Sequence, residues 1–395
     1  MPLPKRVITL GVEEEYLLVD AETRGLASEP PAEFIERCQK ALGEERVSPE
    51  YLQCQIEIAT GVCNTVDDVA AELVELRGTI DHIARDYNMR LMAASTHPWG
   101  HWHNEKPTEK DRYRFLSREH LLIARRLVVC GMHVHAGIED PDLRIDLMNQ
   151  CTYFLPHFLA LSTSSPFWQG DMTGLKAIRP TIFGDLPRSG LPEWIESDAE
   201  WRHLLRMLDQ GFGLSDPSMI WWDIRPSAAH PTVEMRVCEL CTRLDDALTM
   251  AALYQSLVAY LCRLRAGNQS WRRYRRVLVN ENKWRAQRDG IHAELADLGR
   301  ETTMPFRDLM LEFVDLVSDD AADLGCLEHV QHARTILERG TSADNQLKVF
   351  GEAKSIGDDD RTAHTKVVDW LVDHTVADFD TIAPSEAARV ASSSG

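Results

Sequence analysis

Apolar and polar positions change their rhythm along the chain. Alternation at a spacing of two, the mark of strands with one covered face, predicts strands over residues 7–19, 54–60, 91–95, 127–138, 220–225 and 232–240. A spacing of three to four predicts helices. Its best-signalled case places Val69, Leu73, Leu76, Ile80, Ile83 and Tyr87 on one stripe, behind a capping box formed by Thr65 and Asp68. Residues 34–42 and 153–160 predict shorter helices, and 246–265 a long helix that is apolar nearly all round and therefore buried, ending before Gly267. The last third reads as almost purely helical: 284–298, 306–317, 327–338, 343–354 and 362–378. Residues 97–107 and the Gly-, Pro- and Arg-rich stretch 171–192 predict loops, the second long enough to be functional. No repeat or linker divides the chain, so one domain is expected over 1–380, with an unstructured tail at 381–395.

The strand rule also sorts the charged residues. Glu13 and Glu15 share a face, against Val12, Glu14 and Tyr16. Gln55 and Glu57 oppose Ile56 and Ile58; His133 and His135 oppose Met132, Val134 and Ala136. Thr232, Glu234 and Arg236 oppose Val233, Met235 and Val237, and Asp223 and Arg225 oppose Trp222 and Ile224. Each strand thus has one apolar face and one bearing acids, imidazoles or guanidinium groups. Such strands suit an antiparallel sheet with helices on its apolar side and a charged cluster on the other. Carboxylates gathered together repel, and a polyvalent cation relieves them. Carboxylates with an occasional imidazole suit Mg²⁺ or Mn²⁺ better than zinc, and such ions commonly hold substrate phosphates. Arg225 and Arg236 fit the same chemistry, because guanidinium forks grip phosphate and carboxylate oxygens.

Composition narrows the class. The formal charge of −19, from 62 acidic and 43 basic residues among 395, argues against nucleic-acid or anionic-membrane partners. No apolar run reaches the roughly 18–20 residues that span a bilayer, the N-terminus has no signal-peptide pattern, and nine scattered cysteines suit a reduced, cytoplasmic protein. The lone C-x-x-C of Cys238 and Cys241 reads as two core or surface thiols. His97, His101 and His103 read as a solvated loop, and the run W-R-R-Y-R-R at 271–276 as a helix surface or ion-pair patch. Neither a G-x-x-x-x-G-K-[ST] loop nor a strand-linked G-x-G-x-x-G is present, which leaves phosphate to metal and arginine.

The motifs G-V-E-E-E-Y-L-L-V-D (11–20), Q-I-E-I-A-T (55–60), G-M-H-V-H-A-G (131–137), R-P-T-I-F-G-D-L-P-R-S-G (179–190), W-W-D-I-R-P-S (221–227) and T-V-E-M-R-V (232–237) together resemble the type 2 glutamate–cysteine ligases. These are also called YbdK-like carboxylate–amine ligases, relatives of glutamine synthetase. N-K-W-R-A-Q-R-D-G (282–290) and G-T-S-A-D-N-Q-L (340–347) extend the resemblance over nearly the whole chain. It implies an α+β, glutamine-synthetase-like fold, a curved antiparallel sheet with helices on its outer face. It implies ATP and Mg²⁺ (or Mn²⁺), with Glu13, Glu15, Glu57, His133 and Glu234 as metal ligands. Nucleotide or phosphate contacts would be His135, Arg236, Arg188 and Arg179, the last two standing where relatives hold a substrate carboxylate or phosphate. Glu57, Arg225 and Arg236 would be the catalytic groups. The implied reaction joins a small-molecule carboxylate (glutamate) to an amine (cysteine or another) through an acyl phosphate; some relatives are dimers. Two other classes stay open: a metal-dependent amidohydrolase, since H-x-H on a strand also opens such sites, and a nucleotide-binding relative without turnover.

Overall fold

Residues 8–377 and 379 are described by a computed structural model of the chain. Seven strands form one sheet: β1 (Leu10–Asp20), β2 (Val47–Pro49), β3 (Gln55–Ala59), β4 (Met89–Met92), β5 (Met132–Gly137), β6 (Ile224–Pro226) and β7 (Thr232–Met235). Their order is β6-β7-β5-β1-β3-β2, every pairing is antiparallel, and β4 joins the far half of β1 beside β5. The long β1 is the spine, and its burial alternates from Leu10 to Tyr16 as the sequence pattern requires.

Helices cover the apolar face. The Val66–Arg85 helix buries Val69, Leu73, Leu76, Ile80 and Ile83. Its capping box forms as expected: Asp68 N donates to Thr65 Oγ1 at 3.1 Å and Thr65 N to Asp68 Oδ2 at 3.0 Å. The Leu244–Ala266 helix packs against it and against β1 and β5. By length and composition that helix could cross a bilayer, but 78% of its apolar window is buried inside the protein. Gly267 caps it at φ −83°, not in the left-handed conformation that its place after the helix suggests.

One ion pair ties the two layers together. Glu14, pointing away from Glu13 and Glu15, meets Arg77 of the Val66–Arg85 helix, and both are wholly buried. Arg77 Nη2 lies 2.5 Å from Glu14 Oε1 and Nε 3.0 Å from Oε2, and Tyr16 Oη donates to the same carboxylate. Arg77 also donates to the carbonyls of Cys241 (3.2 Å), Thr242 (2.9 Å) and Thr375 (3.4 Å). One guanidinium therefore joins β1, the segment after β7 and the end of the Asp360–Thr375 helix.

Elsewhere the structure departs from the sequence expectations for local reasons. The expected helix 284–298 is instead Arg276–Asp289, stopped by Gly290 at φ 57°, after which Glu294–Asp297 and Thr302–Pro305 form a hairpin. Asp111–His120, Pro141–Cys151 and Asp198–Phe212 are further helices that the sequence expectations did not include; the last carries Trp201, Leu204, Leu205 and Leu208 at helical spacing. The expected strand 220–225 breaks at Asp223, and 127–138 is strand only from Met132. The 271–276 run is an ion-pair patch: Arg276 pairs with Glu193, and Arg273 lies 3.8 Å from Glu196. Cys238 and Cys241 are buried, unbridged thiols. The tail 381–395 lies outside the described residues.

His97 is a correction. It is buried, not solvated: its Nε2 is 2.9 Å from the Arg24 carbonyl, and Nδ1 accepts from Trp99 N and Gly100 N at 3.2 and 2.9 Å. Burial first, then the charges of Arg361 and His364, hold its pKa down at about 3.

Two outcomes follow. Arg77→Met leaves the Glu14 carboxylate buried and unpaired and costs about 3–5 kcal/mol in urea unfolding. The double variant Glu14→Met/Arg77→Met recovers most of that loss if the pair matters by charge balance. For His97, the unfolded imidazole takes up a proton that the folded one refuses between pH 6.5 and about 3. Stability therefore falls as pH drops through that window, by at most about 1.4 kcal/mol per unit. His97→Gln flattens the slope of unfolding free energy against pH; an unchanged slope contradicts the assignment.

Candidate active site

The charged face of the sheet gathers the groups that alternation placed there. Strand register sets Glu13 opposite His133, Glu15 opposite Glu57, Glu234 opposite His135 and Arg225 opposite Glu234. They line a cavity of about 360 Å³ together with Gln55, Glu50, Arg112 and Arg236. A wider cavity of about 800 Å³ lies at the sheet end, between residues 8–13, 59–62 and 137–140. The two share Glu13, His135 and His230.

The first carboxylate cluster is Glu13, His135 and Glu234, whose ligand atoms lie within 4.8 Å of one another. His133 Nδ1 is 3.0 Å from Glu13 Oε2, and His135 Nε2 is 3.3 Å from Glu13 Oε1. Burial alone would raise the Glu13 carboxyl, but the two imidazoles overcome it and hold it far below the usual carboxylate range. Glu234 is likewise held low, by Arg236 and Arg225 against the effect of burial. Arg225 Nε and Nη2 grip Glu234 at 2.8 and 3.1 Å, and Arg236 pairs with the same carboxylate. His133 is kept neutral by burial and by Arg236, whereas Glu13 and Glu234 outweigh burial to raise His135.

The second cluster is Glu15, Glu50 and Glu57, also within 4.8 Å. No arginine ion-pairs with any of the three among the described residues. Burial and the charge of Glu15 push Glu50 up to about 7, and burial with Glu50, Glu13 and Glu15 pushes Glu57 well above the carboxylate range. Ser48 Oγ donates to Glu57 at 3.1 Å, and Gly131 N to Glu15 at 2.6 Å. Three mutually repelling, half-enclosed carboxylates fit a hard divalent cation, and so does the first cluster with its single imidazole. Nε2 of His133 is buried without a hydrogen-bond partner, as a nitrogen poised for a ligand would be, whereas Nε2 of His135 faces Glu13.

The expected residues divide. Glu13, Glu15, Glu57, His133, His135, Arg225, Glu234 and Arg236 all line the cavity. His135, expected as a nucleotide contact, stands with Glu13 and Glu234 in the first cluster, and His133, expected as a metal ligand, lies against Glu13 through Nδ1. Arg179 and Arg188 do not reach the wall. Arg179 lies over Gly131, so close that a Cβ there would stand 2.1 Å from its Nη2, and it donates to the Cys238 carbonyl at 3.3 Å. Arg188 donates to the Met219 carbonyl at 3.1 Å and covers the Trp221 ring. Asp223 leaves the charged face because its strand breaks there, and pairs with Lys283 at 2.6 Å. From the loop 171–192, Phe183 and Leu186 line the cavity. Glu50 and Arg112 were not singled out by sequence; Glu50 follows Ser48 by the alternation that brings Ser48 opposite Glu57.

The glutamate–cysteine ligase family 2 model matches residues 9–369. This chain belongs to that family. A Rhodospirillum rubrum protein, provisionally named glutamate–cysteine ligase 2, is 50% identical over 372 residues, 93% of this chain and 96% of its own. Among solved structures, glutamate–cysteine ligase from Francisella tularensis, in complex with AMP, has a TM-score of 0.65 at 12% identity, over 99% of this chain and 94% of that one. A bifunctional glutathione synthetase from Pasteurella multocida gives 0.67 at 14%, over 94% of this chain and only 53% of that longer one. The fold is thus the one shared with these ligases, and a family 2 member is an ATP-dependent ligase forming a C–N bond. The amidohydrolase alternative wanted parallel strands, and the seven-stranded sheet has none.

Titration of metal-free protein with Mn²⁺, followed by electron paramagnetic resonance, is expected to fill two sites per chain. Glu50→Gln weakens one and Glu234→Ala the other, each by at least about tenfold. A single site insensitive to Glu50→Gln removes the second cluster from the reading.

Proposed function

We propose that the chain activates the side-chain carboxylate of glutamate by phosphoryl transfer from ATP and passes the acyl group to an amine, cysteine or another. The observation that carries this reading is the pair of cation-fitting clusters built from alternate residues of one strand, Glu13 and Glu15, inside one cavity.

The wider cavity suits a nucleotide, with its phosphates directed to where the cavities meet, at Glu13, His135 and His230. Glu13, His135 and Glu234 would hold one Mg²⁺ or Mn²⁺, and Glu15, Glu50 and Glu57 another; bound there, the ions neutralise phosphate charge as the phosphoryl group moves. A carboxylate oxygen attacks the γ-phosphorus and ADP leaves. The amine nitrogen then attacks the acyl carbon, the C–O bond breaks, and phosphate leaves.

The side chains supply orientation and charge. Arg236 lines the cavity, paired with Glu234, and its buried Nε–H has no partner. Arg225 is fixed by Glu234 and by the carbonyls of Ser218 and Ile220, and so keeps the Glu234 carboxylate in place. A carboxylate of the cavity takes the proton of the attacking amine. Phe183 and Leu186 add apolar side chains to the cavity lining.

Purified protein with ATP, Mg²⁺ and glutamate is expected to release ADP only when an amine from a panel including cysteine is added, giving a product of summed mass less water. ADP release with neither an acid nor an amine required, or none with any pair despite nucleotide binding, overturns the substrate assignment.

A further inference from the structure

Three guanidinium groups line the acidic cavity, and two are committed. Arg225 and Arg236 are both held by Glu234. Arg112 makes one hydrogen bond, from Nη2 to Ser218 Oγ at 3.1 Å, and no ion pair among the described residues. Arg112 is exposed at the cavity rim, and four of its five donors have no partner in the protein. Arg225 holds the carbonyl of that same Ser218 at 2.7 Å, so two guanidinium groups converge on one residue from different sides.

Arg112 stands in the first turn of the Asp111–His120 helix, where a cation opposes the helix dipole and gains nothing locally. The helix nevertheless fixes it over the cavity. Tyr113 Oη donates to the Pro49 carbonyl at 3.0 Å, Tyr51 Oη and Ser117 Oγ lie 2.9 Å apart, and the two tyrosine rings meet edge to face. These contacts seat the helix on the segment that carries Glu50. Arg112 thus faces the second carboxylate cluster, and it lines only the acidic cavity. An anion entering through the wider cavity reaches Glu13, His135 and His230 first. The anion left for Arg112 is one carried by the acid substrate itself.

Resting on the function proposed above, we propose that Arg112 binds the non-reacting carboxylate of the acid substrate and so selects dicarboxylic amino acids. A monocarboxylate has nothing to offer this guanidinium. A dicarboxylate of glutamate length can present one end to Arg112 in a forked pair while the other lies among the metal-fitting carboxylates.

Calorimetry of ligand binding, in Mg²⁺ and a non-hydrolysable ATP analogue, tests this without turnover. Wild type is expected to bind glutamate at least about tenfold more tightly than 4-aminobutyrate, which lacks the second carboxylate. Arg112→Met removes that preference, Arg112→Lys restores part of it, and the exposed Arg118→Met on the same helix leaves it intact. The nucleotide analogue binds Arg112→Met as it binds wild type. Glutamate binding unchanged in an Arg112→Met variant of native melting temperature overturns the proposal. So does a loss that falls on the nucleotide or on cysteine instead, or a wild type indifferent to the second carboxylate. Failure to release ADP would defeat the ligase reaction and leave this binding contrast standing.

Discussion

Everything on the charged face depends on where Glu14 goes. Three consecutive carboxylates on one strand repel one another, and the pleat separates them by sending Glu14 into the dry core and Glu13 and Glu15 to the cavity. Arg77 makes that burial tolerable by meeting both carboxylate oxygens and three backbone carbonyls. Because the side-chain period is two, a slip of β1 by one residue would bury Glu13 and Glu15 and expose the partner of Arg77. The ion pair therefore sets the register from behind, and the sites in front inherit it.

In front, the two clusters are balanced differently. The protein itself neutralises Glu13 and Glu234, through imidazoles and guanidinium groups, so these carboxylates are ionised before any ligand arrives. It leaves Glu15, Glu50 and Glu57 to repel one another. Part of the binding energy of a cation there would be the relief of that repulsion, and loading it would release protons. The first cluster has less to gain, because its counter-charges are already in place.

Much of this was legible in the sequence, because alternation is local. Eight of the expected residues reached the cavity wall by that rule alone. What escaped has identifiable causes. Glu50 lies just past a three-residue strand, too short for a pattern. Arg112 sits on a helix with no buried residue, so no apolar stripe announced it. Pro141–Cys151 carried a capping signal, Asp140 before Pro141, while Asp198–Phe212 carried both a Ser197 cap bonded to Glu200 N and an apolar stripe of Trp201, Leu204, Leu205 and Leu208. Arg179 and Arg188 came from resemblance in one dimension, and each donates one hydrogen bond to a backbone carbonyl that only the folded chain brings near.

The glycine that opens G-M-H-V-H-A-G has a consequence of its own. Gly131 has no left-handed φ, so flexibility does not account for it; what it supplies is room, which Arg179 fills. The two positions are one unit of volume divided between distant parts of the chain. The two positions are thereby coupled: an alanine at 131 would fit only if the far end of the Arg179 side chain moved away from it.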